Sequence, residues 1–472
     1  MNSENQRTIQ TLCQRYQAII LEHSAQRLHV AVSETADAQM IEALRFASQC
    51  EVTVDCWPQA RIEQYGQIDP ARQMARESAP DETYSASAVD LVNQILLAAV
   101  QRRASDIHFE PQASGLRVRL RIDGVLHPLK GNYDGVTASL IARLKILGNL
   151  DIAERRMPQD GQFTLELNAK NESFRLSTLP TRFGEKAVVR LLQSETVAID
   201  LNKLGMPAEA LKCYREALAR PQGLILVTGP TGSGKTFTLY SGLSALNHPG
   251  QNLCSVEDPV EIPLPGVNQT QINSKSGLDF HRVLRALLRQ DPDVIMLGEI
   301  RDGETAEIAI KAAQTGHLVL STLHTNSTSE TLTRLGQMGI PGYLLASALK
   351  LVIAQRLVRR LCTHCRQPDH VISHFPPALW SGSVQSWRAS GCDHCFSGYY
   401  GRLALFELLP ISEPLQQAIA ANATPDELAT LAQQQGLNSL FTEGLHAVNR
   451  GETSLDEVNR IVGACDGETY AV

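Results

Sequence analysis

Three groups of residues in this chain have types and spacings that carry chemistry. The run Gly229-Pro230-Thr231-Gly232-Ser233-Gly234-Lys235-Thr236 satisfies G-x-x-x-x-G-K-[ST] at every fixed position. Its glycines let backbone N–H groups curl around a phosphate without Cβ clashes, and the start of a following helix adds partial positive charge. Lys235 is then expected to reach the β- and γ-phosphates of ATP, and the Thr236 hydroxyl to ligate Mg²⁺. The apolar stretch GLILVT before the loop and the helical pattern from Lys235 to Leu246 after it supply the context that the motif requires.

Binding alone does not give hydrolysis, which needs carboxylates at neighbouring strand ends to hold Mg²⁺ and polarise water. Two such stations follow the loop: Val256-Glu-Asp-Pro-Val-Glu261 after the strand Leu253–Val256, and Gly298-Glu299 after Val294–Leu297. An isolated carboxylate in such a place can equally be a helix cap. Two of them following strands beside a phosphate loop favour chemistry. A third station, Gly316-His-Leu-Val-Leu-Ser-Thr-Leu-His324-Thr-Asn326, places His324 at the carboxyl edge, where ligands of such sheets bind. His324 there is either a γ-phosphate sensor or a structural histidine. In Phe280–Arg289 the apolar residues fall on one helical face and Arg282, Arg285 and Arg289 on the other, a face turned either to solvent or to a nucleotide.

The third group is Cys362-Thr-His-Cys365 and Cys392-Asp-His-Cys395. Four thiolates in two knuckles can surround Zn²⁺ tetrahedrally, and the loop between them needs no core of its own once the metal closes it. A redox couple needs one low-pKa pair, which the matched second pair argues against. His364 and His394 are the alternative ligands within the knuckles. The other six cysteines are scattered singly and read as small buried hydrophobes.

The elements that must position these groups alternate. Residues 1–70 read as a small α/β module: a helix Gln6–Tyr16, strands Ala18–Leu21 and Leu28–Ser33, a helix Ala36–Ser48 and a strand Glu51–Trp57. A polar linker occupies 71–88. Residues 89–200 read as a mixed α+β lobe with a helix Val89–Arg102 and a hairpin turn at Asp123-Gly124. In 205–360, strands Leu224–Thr228, Leu253–Glu257, Val294–Leu297 and Leu318–Thr322 alternate with helices, the pattern of a parallel α/β sheet. The four-cysteine insertion spans 361–398, and 399–472 reads as a helical C-terminal subdomain. The basic cluster Gln355-Arg-Leu-Val-Arg-Arg360 reads as a solvated helix face beside the cysteines.

A length of 472 residues asks for several cores, and 43% apolar with 20% charged residues is ordinary for globular chains. The net charge of −7 gives no basic footprint for phosphate neutralisation, and at 5% aromatic there is no interleaving of basic and stacking residues. Nucleic acid is therefore not expected as a partner. No apolar run approaches the roughly 18 residues of a membrane span, and the N-terminus lacks an export signal. The expectation is a cytoplasmic protein that reaches a membrane through partners.

Taken together, GPTGSGKT, VEDPVE, DVIMLGEIRD, GHLVLSTLHTN and the cysteine pairs resemble the assembly ATPases of type II secretion and type IV pili. The resemblance extends upstream to RRASDIHFEP, RLRIDGVLHPL, DIAERRMPQDGQF and FRLSTLPTRFGEKAVVRLL, and covers about residues 86–465. It implies a homo-hexameric ring of two-lobed subunits, a RecA-like P-loop ATPase domain, and work on an inner-membrane platform protein. By motif it assigns Glu257 as the water-polarising carboxylate, Glu299 as the Mg²⁺ support and His324 as the residue near the γ-phosphate. It brings Arg175 and Arg190 toward the phosphates, with Arg285, Arg289 and Arg301 in the ATPase lobe. The N-terminal module carries no RLG-type signature for a cyclic dinucleotide. Within the family the four-cysteine insertion marks assembly motors rather than retraction motors. A retraction motor, a nucleic-acid translocase and a non-hydrolysing nucleotide sensor are the competing readings.

Overall fold

A computed structural model describes residues 13, 18–23, 27–33, 38–48, 50–57, 88–131, 133, 135–192, 199–273, 276–372, 375 and 380–463. Contacts divide the chain into two compact units, Met1–Ala86 and Ser87–Val472. In the first, β1 (Ile19–His23) pairs antiparallel with β2 (Arg27–Val32), and β2 pairs parallel with β3 (Glu51–Cys56) through the helix Ala38–Ser48. Leu28, Val30, Met40 and Leu44 form its small core. The opening helix expected at Gln6–Tyr16 and the linker at 71–88 lie outside the described residues, apart from buried Cys13 and the Ala88 that starts the next helix.

The second unit begins with the helix Ala88–Gln101 and a six-stranded antiparallel sheet. Its strands are β4 (Ala104–Gln112), β5 (Gly115–Ile122), β6 (Val125–Pro128), β7 (Gln159–Leu167), β8 (Lys170–Thr181) and β9 (Gly184–Leu192), in the order β6-β5-β4-β9-β8-β7. Alternation sends Val118, Leu120, Ile107, Phe109, Phe174 and Val189 to one face, where this helix and Thr137–Leu147 cover them. The opposite face carries charged side chains. Both residues of the expected Asp123-Gly124 turn have positive φ, +49° and +87°, as a two-residue hairpin turn requires.

A seven-stranded sheet follows, built from β10 (Gly223–Thr228), β11 (Leu253–Glu257), β12 (Val267–Gln271), β13 (Val294–Leu297), β14 (Leu318–Leu323), β15 (Leu349–Leu361) and β18 (Tyr399–Pro410). The order is β12-β11-β13-β14-β10-β15-β18, parallel throughout except for β18 against β15. Strands β10, β11, β13 and β14 are buried at every residue, which is why they read as unbroken apolar runs. Alternate side chains feed two cores, one around Leu226, Val256 and Leu297, the other around Ile225, Val227 and Met296.

Between β15 and β18 the chain makes the two-stranded hairpin β16 (Arg366–Ile372) and β17 (Val384–Ala389), with a cysteine pair at each of its feet. The turn that leads from Cys395 into β18 reaches the six-stranded sheet. Gly401 N–H donates to Asp123 Oδ2 at 2.9 Å, and Phe396 packs with that sheet's core beside His127, ring centroids 5.9 Å apart. The Arg103 guanidinium lies 3.9 Å from the centre of the Tyr400 ring.

Two expectations are corrected here. The region 399–472 is not wholly helical: β18 adds twelve residues to the main sheet before the helices Glu413–Ala420, Pro425–Gln434, Leu440–Asn449 and Leu455–Val462 begin. The cluster Gln355–Arg360 is not a solvated helix face but part of β15, and Gln355 and Arg356 are buried. A long apolar run does not reveal its period, and here burial between β10 and β18 selects the strand.

Candidate functional site

The phosphate loop leaves the carboxyl end of β10 and enters the helix Lys235–Leu246 at Gly234, which holds a left-handed φ of +89°. At Gly229 a Cβ would fall 2.5 Å from the Gln355 carbonyl and 2.6 Å from Ser233 Oγ, so only glycine fits this close approach. Lys235 is 8% exposed, and its Nζ donates to the carbonyls of Gly229 (2.7 Å) and Pro230 (3.1 Å). Burial pushes its pKa down to about 8; Glu299 pulls it up and Arg356 lowers it further. Ser233 is buried, whereas Thr231, Gly232 and Thr236 are exposed on the outer side of the loop.

Three hydroxyls pin the loop's root to the end of β14. Thr228 Oγ1 lies 2.6 Å from Thr325 Oγ1, which lies 2.7 Å from Thr331 Oγ1, and the Thr325 N–H donates to Thr228 Oγ1 at 3.0 Å. His324 is thereby held one residue from the loop's base. On β15, Gln355 Oε1 accepts from Thr238 Oγ1 at 2.7 Å, and Arg356 lies beneath Gly229.

The carboxylate stations differ in kind. Glu257 is 3% exposed and accepts hydrogen bonds from Tyr240 Oη, from Ser255 Oγ (2.5 Å) and from Gln269 Nε2 (3.1 Å). Tyr240 sits on the phosphate-loop helix and its oxygen also accepts from Glu261 N–H at 3.3 Å, so this buried cluster ties the 257–261 turn to that helix. Asp258 and Glu261 are exposed on the same turn.

Glu299 forms the open station. It accepts from Arg301 Nε at 2.7 Å and faces His324 Nε2 at 3.1 Å, while Arg301 also lies 3.9 Å from Asp258. Burial opposes ionisation of Glu299, but the Arg301 hydrogen bond and charge, with His324, outweigh it and hold the carboxyl below its ordinary range. Asp258, Glu299, Arg301 and His324 thus form one polar network across three strand ends.

The remaining arginines stand elsewhere. Arg285 and Arg289 are on the exposed face of the helix Phe280–Leu287 and just past its end; Arg285 lies 3.8 Å from Glu304, and Arg289 donates to the Arg285 carbonyl. Arg175 and Arg190 are directly opposite each other on β8 and β9, both exposed, and Arg190 Nε donates to Asp106 at 2.8 Å. Among the described residues, neither pair has a hydrogen bond to the phosphate loop.

The four cysteines converge. Their sulfurs all lie within 4.8 Å of one another, with 3.8 Å between Cys362 and Cys392 and 3.7 Å between Cys365 and Cys395. A tetrahedron with metal–sulfur bonds of about 2.3 Å has edges of about 3.8 Å, so the donor set fits Zn²⁺. The spacing is far beyond the ~2.05 Å of a disulfide. His364 and His394 pack against each other with tilted rings, centroids 4.8 Å apart and planes at 35°, and neither joins the sulfur cluster.

A phosphate loop at the carboxyl edge of a mostly parallel sheet, with carboxylates at the adjacent strand ends, defines a P-loop nucleotide hydrolase. The sequence model described as "Type II/IV secretion system protein" matches residues 81–460, and the chain belongs to that family of ATPases. It is 54% identical over 457 residues to the protein transport protein HofB homolog of Escherichia coli, covering 97% of this chain and 98% of that one. It is 48% identical to the type IV pilus assembly ATPase PilB of Pseudomonas aeruginosa, across 84% of this chain and 71% of the relative. Among solved structures, the pilus retraction motor PilT with bound ADP superposes with a TM-score of 0.53 at 27% identity, covering 79% of this chain and 97% of PilT. The Legionella pneumophila ATPase DotB, with a TM-score of 0.60 and 21% identity over 81% of this chain and 97% of its own, shares the fold.

Tyr240, Thr228 and Thr331 are announced by no motif, Gln355 and Arg356 carry no site role in the basic cluster that contains them, and only the strand ends bring them together with Thr325 of the third station. The state of Lys235 has a measurable consequence. Lysine holds phosphate as a cation, so ADP affinity falls as the pH rises above the lysine's pKa of about 8, by up to about tenfold per unit. Titration with a fluorescent ADP analogue between about pH 7 and 10 reads this directly; affinity that stays constant across the range contradicts it.

Proposed function

We propose that this chain is the ATP-hydrolysing motor of a type IV pilus or type II secretion pseudopilus assembly machine, acting as a homo-hexamer on an inner-membrane platform protein. The observation that carries the reading is the convergence of the phosphate loop with the Glu299–Arg301–His324–Asp258 network at one sheet edge, in a chain 48% identical to a pilus assembly ATPase. No described helix is long and apolar enough to cross a membrane. Membrane association therefore goes through the platform partner in this reading. The fold shared with PilT keeps retraction as the second reading, and the fit of the four cysteines to zinc favours assembly.

In the motor the loop's N–H groups and Lys235 hold the β- and γ-phosphates of ATP, while Thr236 and Glu299 hold Mg²⁺. His324 stands beside Glu299 as the γ-phosphate sensor. The exposed Arg175 and Arg190 reach a nucleotide only on lobe closure or from a neighbouring subunit, and Arg285, Arg289 and Arg301 line the approach. A mobile arginine supplied in the closed state couples hydrolysis to domain motion. Glu257 cannot polarise water while it is sealed beneath three donors, so its role moves to positioning the 257–261 turn. Of the open carboxylates on that turn, Asp258 is paired with Arg301. Glu261, exposed and without an ion pair among the described residues, is the water-polarising group.

Steady-state ATPase assays with parallel ADP binding test these assignments. Glu261→Gln lowers kcat by about a hundredfold or more with affinity retained, the scale of a lost general base. Glu257→Gln loosens the turn and lowers thermal stability. Turnover abolished by Glu257→Gln at unchanged stability, with Glu261→Gln active, would return the role to Glu257. For the cysteine site, metal analysis is expected to find about one zinc per chain, lost in Cys362→Ser with ADP binding intact. Purified protein free of zinc would remove the metal assignment.

A further inference from the structure

We propose that Arg356 is a positioning residue for ATP hydrolysis: its buried guanidinium braces the phosphate loop against the segment His324–Asn326 and places a second positive charge behind the loop. The proposal rests on the ATPase reading. Strand β15 runs parallel beside β10, with Thr228 opposite Ala354. Beyond that pair β10 turns away as Gly229, and β15 continues beneath it as Gln355 and Arg356. Arg356 is 6% exposed. Its Nη1 donates to the Gln355 carbonyl at 3.0 Å, and its Nη2 donates to both the Asn326 carbonyl (2.9 Å) and Asn326 Oδ1 (3.2 Å). A Cβ on Gly229 would stand 3.1 Å from Nη1, so the loop rests on the guanidinium with no room for a side chain.

All three acceptors are neutral. Among the described residues no carboxylate lies within ion-pair distance of Arg356. The acids that act on its charge, Glu407 and Glu330, are committed elsewhere. Glu330 accepts from Asn326 N–H at 2.8 Å, and Glu407 accepts from Thr328 N–H (2.9 Å), Thr328 Oγ1 (2.7 Å) and Leu440 N–H (3.2 Å). Burying a guanidinium without a counter-charge is costly. The cost is offset when an anion occupies the loop, where Arg356 adds to the positive potential of Lys235, whose ammonium rests on the Gly229 and Pro230 carbonyls. The geometry also gives the residue a mechanical part. Asn326 ends the His324-Thr-Asn326 station, so the Nη2 contacts fix that station against the loop from below, as the Thr228–Thr325 contact does from within the sheet.

The two contributions separate by substitution, because lysine keeps the charge and loses the planar fork. Arg356→Met, Arg356→Lys and Asn326→Ala are compared with the wild-type full chain for ADP affinity and for kcat. Arg356→Met is expected to weaken ADP binding by about tenfold or more, the scale of a lost charged contact. Arg356→Lys is expected to hold ADP affinity within about threefold while kcat falls by about tenfold, the signature of lost positioning rather than lost ground-state binding. Asn326→Ala, which leaves the charge in place, follows Arg356→Lys. If Arg356→Met does not fold, the other two variants decide the matter. The proposal is overturned if Arg356→Met binds ADP like wild type, if Arg356→Lys loses affinity as Arg356→Met does, or if Arg356→Lys and Asn326→Ala both turn over normally. Wild-type protein that neither binds ADP nor hydrolyses ATP would instead remove the ATPase reading, and this proposal with it.

Discussion

Parallel hydrogen bonding of Gly223–Thr228 with a neighbour on each side is the constraint from which the rest follows. Parallel strands all end at the same edge, so every strand of the buried sheet delivers its terminal residues to one surface. Two faces covered by helices leave that edge as the place where polar side chains can collect. The phosphate loop leaves from β10, Glu257 from β11, Glu299 from just after β13 and His324 from just after β14. A one-residue slip between β10 and β14 would separate Thr228 from Thr325, and the hydroxyl chain that sets the loop's root would be lost.

The carboxylates at that edge show how placement gives one chemical type two environments. Glu257 ends its strand buried, and three donors occupy it; its energy is spent on holding a turn against the phosphate-loop helix. Glu299 lies beyond the end of its strand at the rim, where Arg301 and His324 keep it ionised and accessible. Burial alone would push a carboxylate toward the neutral form, so the rim network is what preserves a charge able to support a divalent cation. Arg301 also reaches Asp258, which makes the two stations a single electrostatic unit.

Much of this was legible in the residues. The motif at 229–236, the strand Leu253–Glu257 and the helix Lys235–Leu246 stand where their patterns place them, because apolar runs bounded by turn residues leave few alternatives. The cysteine pairs announced their convergence by spacing. Local pattern failed where tertiary burial decided the outcome. Leu349–Leu361 has an apolar content compatible with helix or strand, and only its place between β10 and β18 makes it a strand. Arg356 therefore looked like one of a solvated group, whereas the fold buries it under the loop. Glu257 and Glu261 are chemically alike four residues apart, and the sequence holds nothing to say that Tyr240 seals the first.

The cysteine hairpin links the two sheets of the larger unit. The turn after Cys395 carries Phe396, Tyr400 and Gly401 onto the β5–β6 hairpin and its surroundings, so a metal that stiffens the cysteine feet also stiffens a contact between the six-stranded sheet and the nucleotide-binding sheet. Such a link suits a machine that converts hydrolysis into relative motion of its parts. The claim that this chain drives filament assembly, rather than moving nucleic acid, is tested most directly by one comparison of ATPase rates. The purified chain is assayed with phospholipid plus the cytoplasmic domain of the proposed platform partner, and separately with single-stranded DNA. Stimulation by the first and none by the second is the predicted result; stimulation by DNA alone would contradict the account.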